Sequence, residues 1–378
     1  MFSNGVPQPD ILIAGAGIIG LALALELHAR GAQVTVLERD TAVSHASTAA
    51  AGMLAVHDPH NPAALYSLSH LSAELYPAFL ARIAELCGET VPFQTDLTMQ
   101  QETGKPRNPT RHLLPWDLDR ILPGNTLHHR HFDLINEHSI DPRQLAHALL
   151  AAVRRTAINL REHTTVLRVE HRRRSVRVKI AGNPTLQEGA AFVDCRGSWS
   201  ALTMPRKGQM LAVEIPEGMC LPLVVRTPDI YIVPRTQGAH AGRAIIGATI
   251  EDAGFDTTVY AADIEALQAR AAALLPQLAN ARVVESWAGL RPGTPDELPI
   301  LGAAVVDRPH FVASGHFRNG ILLAPATAQV VADLIEDKPP AVSLEAFSPR
   351  RAAVVGVGIA PAAKAAVHGG GLLSRLKP

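Results

Sequence analysis

The stretch ILIAGAGIIGLALALELHARGAQVTVLERD, residues 11–40, reads as strand, tight turn, helix and strand. Residues 11–14 are apolar and strand-like, and Gly15, Gly17 and Gly20 then follow in GxGxxG spacing. Residues 21–30 continue with helical periodicity, Gly31 ends the helix, and a second strand over 34–37 closes on Glu38. Each part has a task. Gly15 permits the turn, Gly17 lets a pyrophosphate approach the backbone, and Gly20 lets helix and strand pack closely. The helix start offers unpaired N–H groups and partial positive charge to phosphates. Glu38, placed where the second strand ends, can accept hydrogen bonds from ribose hydroxyls. The unit therefore predicts a dinucleotide site on a βαβ fold.

The acid at Glu38 disfavours a ribose 2′-phosphate, leaving NAD and FAD. The next segment, HASTAAAGMLA (45–55), favours FAD. Its small residues and the hydroxyls of Ser47 and Thr48 suit a chain wrapped tightly against phosphates and a flat ring.

Composition sets the outer bounds. The chain has 378 residues, 47% hydrophobic and 19% charged, enough for two domains with a sizeable core. Lys+Arg and Asp+Glu balance at 35 each, which gives no reason to expect nucleic acid or an anionic membrane as partner. The basic run HRRRSVRVK (171–179) reads as a strand whose Val176, Val178 and Ile180 form one face. Cys87, Cys195 and Cys220 show no CxxC spacing, consistent with a reduced, cytoplasmic protein. Cys195 reads as a small buried hydrophobe rather than a reactive thiol. The apolar run 11–27 is broken by three glycines and Glu26 and is too short to span a membrane. No basic region precedes it, so a soluble protein is expected.

Along the rest of the chain, 63–87 is amphipathic and helical. SIDPRQLAHALLAAVRR (139–155) predicts a helix with Asp141 as N-cap and Pro142 in its first turn. TTVLRVEH, SVRVKIAG and AAFVDCRG read as strands, the last returning to the nucleotide unit. GQMLAVEI, DIYIVPR and RAIIGATI read as an antiparallel sheet, and a helix follows at about 261–275. The tail from residue 349 is rich in Ala and Gly and reads as peripheral or poorly ordered.

The stretches AGAGIIG, AAAGMLA, HTTVLRVE, IYIVPR, WAGLRPGTPDELPILG and SGHFRNGILLAPAT, spread over 11–336, together carry a family resemblance. The chain resembles the D-amino-acid oxidase family of FAD enzymes, most closely its bacterial glycine oxidase branch. The fold expected is α/β: a discontinuous Rossmann-like FAD-binding domain (9–56, 140–204 and 290–340), with a second α+β substrate domain (57–139 and 205–289) built on an antiparallel sheet.

The resemblance implies site residues. Arg291 of GLRP would clamp a substrate carboxylate, Tyr231 would donate to the same group, and Arg318 would lie beside substrate and flavin. FAD contacts are implied at Ile18 and Ile19, at Glu38 and Arg39, at Ala46 and Ser47, and at Ala51, Gly52 and Met53. Val166 would hold the adenine by its backbone. His316, Phe317, Asn319, Gly320, Ile321 and Leu322, with Arg318, would run along the flavin ring. The chemistry fits independently. A planar guanidinium holds a carboxylate through two parallel bonds, and hydride transfer to the flavin needs no protein base.

The implied reaction oxidises glycine or a small D-amino or N-methyl amino acid, with O2 reduced to H2O2, in the branch that supplies the thiazole of thiamine. Alternatives are a dehydrogenase passing electrons to a quinone and a non-catalytic flavin-binding scaffold. A homotetramer is implied by resemblance only. Two positions depart from the family pattern: DCRGSWS sets Arg196 where it would contact phosphate or solvent, and Asp229 stands where the branch often has His. His57, Asp58 and His60, like HHRHFD (128–133), lack further partners at ligand spacing, so no metal is expected.

Overall fold

The computed structural model describes residues 10–102 and 111–351. The chain opens with β1 (Asp10–Ala14), α1 (Ile18–Ala29) and β2 (Gln33–Leu37), the βαβ unit expected from GxGxxG. It continues through α2 (Ala46–Ala49), α3 (Tyr66–Cys87), β3 (Phe93–Gln101), β4 (Arg111–Leu113), α4 (Pro115–Ile121) and β5 (Phe132–Ile140). Then come α5 (Pro142–Arg154), β6 (Asn159–Arg161), β7 (Val166–His171), β8 (Val176–Ile180), β9 (Leu186–Gly189) and β10 (Ala191–Asp194). The last part carries β11 (Met204–Glu214), β12 (Val224–Arg226), β13 (Tyr231–Arg235), β14 (Arg243–Gly247) and α6 (Ala261–Ala272). It ends with β15 (Val283–Gly293), β16 (Ile300–Ala303), β17 (His310–Ser314) and α7 (Gly320–Ile335).

One sheet has the order β16-β17-β10-β1-β2-β6, parallel except where β16 joins β17. Alternation along β1 explains why both its faces are covered. Ile11 and Ile13 pack into the core shared with α1, α5 and α7, while Leu12 and Ala14 pack against Val166, Val176, Val178 and Ile180 of the small β7-β8-β9 sheet. The basic run thus buries its apolar face, with Arg172, Arg173 and Arg174 exposed. The Asp141 carboxylate caps α5, accepting from the N–H of Arg143 at 2.9 Å, as the sequence predicts.

The other large sheet, β15-β11-β14-β13-β12-β3-β5-β4, is antiparallel apart from the β12–β3 pair. Two elements depart from the expected division of the chain. Helix α3, grouped by sequence with the second sheet, buries Leu68, Tyr76, Leu80 and Ile83 in the core of α1, α5 and α7, because its apolar face meets those helices. The boundary at 290 falls inside β15, whose Arg291 pairs with Arg206 of β11, so Arg291 stands on the second sheet. Of the tail expected from 349, residues beyond 351 lie outside those described; Arg351 itself is held by Asp296 through bonds of 2.7 and 2.9 Å. Among the described residues no helix is long and apolar enough to cross a membrane.

Candidate active site

A cleft of about 1600 Å³ runs between the two large sheets. It exceeds the roughly 300–1,000 Å³ usual for one drug-sized ligand, so a dinucleotide and a small substrate fit together. All the candidate residues line it except Gly20 and Leu322. Leu322 faces the core of α7, and Gly20 works from beneath the cleft.

The nucleotide end is built by β1, α1 and β2. Gly15 has φ +105°, and its N–H donates to Leu37 O at 2.9 Å. A Cβ at Gly15 would lie 2.4 Å from Cys195 O, and one at Gly20 only 1.9 Å from Gly15 O. These two glycines let β1, β10 and α1 meet under the phosphate position. The Glu38 carboxylate accepts from the N–H of Ala16 at 2.7 Å and of Asp40 at 2.9 Å, which fixes it at the cleft. Each oxygen keeps a lone pair for a ribose hydroxyl. Ser47 Oγ accepts from the Ile18 N–H at 2.8 Å. Thr48 differs from expectation: its hydroxyl turns away to Val43 O at 3.0 Å, because it satisfies the short α2 turn instead.

The segment 45–55 is tied to the second large sheet at three points. Trp287 Nε1 donates to Ala49 O at 3.0 Å, Arg235 donates to Ala51 O at 2.8 Å, and Ile140 N–H donates to Gly52 O at 2.8 Å. Its small residues are needed because the space is shallow: a Cβ at Gly52 would meet Ile140 O at 2.0 Å. Arg196 lines the cleft beside this segment without facing solvent freely. Asp194 grips its guanidinium at 2.7 and 2.9 Å. Cys195 is buried, which pushes its thiol pKa well up and leaves it inert, as read from the sequence.

At the other end, the cross-strand register brings the side chains expected to meet substrate onto one face. Tyr231 of β13 pairs with Gly247 of β14 and with Arg226 of β12. Tyr231 Oη donates to Met210 Sδ at 3.1 Å, a weak acceptor that is easily exchanged. Burial pushes the phenol pKa up, and the nearby Arg291 charge only partly offsets this. Arg291 Nη1 donates to Thr249 O at 3.1 Å and Lys207 O at 3.3 Å. Among the described residues no carboxylate lies within ion-pair distance of it. Burial lowers its pKa, and Arg318 adds to the effect.

Arg318 is different. Its guanidinium donates to Asp58 Oδ2 at 3.2 Å and Asn61 Oδ1 at 3.3 Å. Burial alone would raise the Asp58 pKa, but the His60 hydrogen bond and the charges of Arg226 and Arg318 hold it well below the usual carboxylate range. Asp58, weighed in the sequence only as part of a metal motif, is therefore the counter-ion of Arg318. Asp133 of HHRHFD, whose own residues offered no metal set, lies with Glu102 and His112 as a possible ligand group, and His112 already pairs with it. His316 donates or accepts at Thr327 Oγ1 at 3.0 Å, and burial pushes its pKa down to about 3, so it stays neutral. The Phe317 N–H donates to Pro292 O at 2.9 Å, which ties the 316–322 loop beside Arg291.

Two glycines missed by sequence reasoning shape this end. A Cβ at Gly208 would stand 2.2 Å from Arg291 Nη1, and one at Gly247 would stand 2.5 Å from Tyr231 Oη. No local motif marks either, because the need arises only across strands. Gly208→Ala is expected to displace a flexible guanidinium at little cost in stability. It should lower kcat/KM for an amino-acid substrate by roughly ten- to a hundredfold, about 1.4–2.8 kcal/mol. Steady-state kinetics beside a thermal unfolding scan check both halves.

A family model described as FAD dependent oxidoreductase (DAO) matches residues 10–334. Glycine oxidase of Geobacillus kaustophilus is 32% identical over 370 residues, covering 90% of this chain and 96% of that protein. The bifunctional protein ThiO/ThiG of Nostoc sp. is 35% identical over 357 residues, covering 87% of this chain and 53% of that protein. The chain spans about half the length of such bifunctional relatives. The solved structure of the Geobacillus kaustophilus glycine oxidase superposes with a TM-score of 0.82 at 31% identity, over 92% of this chain and 99% of that one. The glycine cradle, the acid at the end of β2 and the long cleft fit a flavin dinucleotide, and the chain belongs to the DAO family of FAD-dependent oxidoreductases.

Proposed function

We propose that the protein oxidises glycine, or a small D-amino or N-methyl amino acid, with O2 as electron acceptor. The observation that carries this reading is Arg291, a guanidinium set deep beside the cleft, held by carbonyls and lacking an anion. Buried charges are normally paired, so a cleft that keeps one unpaired is prepared for an anionic ligand. Arg318 and Arg226 already have Asp58 and Glu137 beside them. The substrate carboxylate therefore goes to Arg291. Its planar fork grips both oxygens, and Tyr231 exchanges the Met210 sulfur for one of them. This fixes the α-carbon above the sheet face on which Gly208 and Gly247 make room for Arg291 and Tyr231.

FAD, when bound, supplies the two-electron acceptor for the α-carbon hydride and a route to O2, which leaves as H2O2. The chain itself contributes orientation and exclusion of water. No protein base is required, and the neutral His316 takes no proton near neutrality. Only the neutral amine gives up its hydride readily, so activity rises with pH as the amine of the substrate deprotonates. The relatives named glycine oxidase support glycine as the first substrate to try.

The visible spectrum of the purified holoprotein, recorded anaerobically with glycine, sarcosine or D-alanine and then in air, tests the reading. Bleaching by one amine, with recovery and peroxide release in air, is expected. Slow recovery in air would favour a different electron acceptor. A flavin that none of these amines reduces would remove the amine reading altogether.

A further inference from the structure

Helix α7 carries Pro325 in its interior, six residues after its N-cap Asn319. Proline has no N–H, so the carbonyl of Ile321, four residues back, loses its helical donor, and the ring also crowds that turn. Breaks of this kind leave buried carbonyls orphaned unless another group supplies a bond. Here α3 supplies them. Tyr76 Oη donates to Ile321 O at 2.6 Å. Ser72 Oγ donates to Leu322 O at 2.6 Å and accepts from the Ala326 N–H at 3.1 Å. Ser72 therefore stands inside the next rung of the ladder, bridging the carbonyl and N–H that a regular helix would join directly. Both side chains are fully buried, Ser72 at 0% and Tyr76 at 1% exposure. Burial raises the Tyr76 phenol pKa far above its ordinary value, so it remains a donor.

What lies upstream of the break gives this patch a role. Gly320 and Ile321, the first residues of α7, line the cofactor cleft. The helix has no side-chain N-cap, because the Asn319 amide donates to Asn61 Oδ1 at 2.9 Å instead. The first-turn N–H groups and the positive end of the helix dipole are thus presented to the cleft. Pro325 removes one rung between that first turn and the rest of the continuous helix, so the direction of the turn depends on what holds the carbonyls of Ile321 and Leu322.

We propose that Ser72 and Tyr76 are positioning residues for the flavin: by bonding the Ile321 carbonyl freed at Pro325 and the Leu322 carbonyl of the next rung, they aim the first turn of α7 at the cofactor and so set its reduction potential. Reduction adds negative charge to the ring, and a well-aimed helix start favours the reduced form. Misaiming it lowers the potential. The inference rests on FAD as the cofactor and not on any amine, so it stands or falls separately from the substrate proposed above.

The test uses the FAD-loaded enzyme without substrate, equilibrated with a reference dye to read the two-electron midpoint potential. Tyr76→Phe, which keeps the ring and removes the hydroxyl, is expected to lower the potential by about 30 mV, a tenfold change in the reduction equilibrium. Ser72→Ala should shift it the same way, and serves alone if Tyr76→Phe fails to hold FAD. Pro325→Ala returns an N–H to the helix and gives Ile321 O its intrahelical partner. In that background Tyr76→Phe should no longer move the potential. A role for Tyr76 in packing alone predicts equal shifts in both backgrounds. Equal shifts, or single variants that keep the parent potential, would overturn the proposal.

Discussion

Replacing Arg291 with leucine is expected to leave a folded, yellow protein whose kcat/KM for glycine has fallen between about thirtyfold and several thousandfold. That range follows from the 2–5 kcal/mol typical of truncating one partner of a buried charged pair, at tenfold per 1.4 kcal/mol. The pair in question forms only with substrate, since the guanidinium is held by carbonyls and, among the described residues, has no carboxylate at ion-pair distance. The same fact fixes the sign of the stability change. Folding the parent enzyme desolvates a cation without an anionic partner, and leucine removes that cost. The unfolding midpoint of the variant should therefore equal or exceed the parent's, a trade of stability for function. Arg291→Lys keeps the charge without the fork and should fall between the two. Anaerobic stopped-flow reduction by glycine, with a thermal scan of the same samples, measures both quantities. A variant that keeps the parent's rate and KM would move the carboxylate to Arg318, despite its tie to Asp58.

The nucleotide half of the site was legible in the sequence because its demands are local. A tight turn, a close approach and an acid at a strand end are all specified within residues 11–40 and appear there as glycines and Glu38. Asp141 before Pro142 announced α5 in the same way. The half proposed to hold substrate was legible only through resemblance. Tyr231 in an alternating strand and Arg291 before a proline look like ordinary sheet residues until the register sets them beside Gly247 and Gly208. That register is a property of four strands spread over residues 204–293, and no window of sequence contains it.

The same limit explains the misplaced elements. The amphipathic pattern of α3 shows that one face is buried and says nothing about the partner. Its hydroxyls at Ser72 and Tyr76 read as unremarkable polar positions, although their carbonyl partners lie some 250 residues away, at Leu322 and Ile321. Asp58 was read beside two histidines as a weak metal motif. Its partner proved to be Arg318, brought to it by the loop between β17 and α7. Arg196 shows the reverse case: the residue two positions back, Asp194, settles its conformation. That pairing lies within the stretch DCRGSWS, where the sequence reading leaves phosphate and solvent both open.

The glycine beneath the cleft gives the sharpest structural expectation. Alanine in place of Gly20 would normally stabilise a helix interior by about 1 kcal/mol. Here its Cβ would lie 1.9 Å from Gly15 O, where ordinary contact begins beyond 3.4 Å. The carbonyl has little room to retreat, because Gly15 packs against the Cys195 carbonyl just past β10, 2.4 Å from its own Cβ position. Both strands belong to the middle of the parallel sheet, so the strain falls on α1. Moving α1 off β1 pulls the Ile18 N–H from Ser47 and carries the phosphate-facing helix start away from its place. Backbone overpacking of this kind costs about 3 kcal/mol or more, well beyond the helix-propensity gain. Gly20→Ala is therefore expected to purify with little flavin, to unfold at a clearly lower temperature, and to recover only part of that loss when excess FAD is added. The flavin-to-protein absorbance ratio and unfolding scans with and without FAD give the answer. A variant that kept its flavin and gained stability would mean that helix and strand do not meet at this point, and the phosphate cradle would have to be rebuilt around a wider turn.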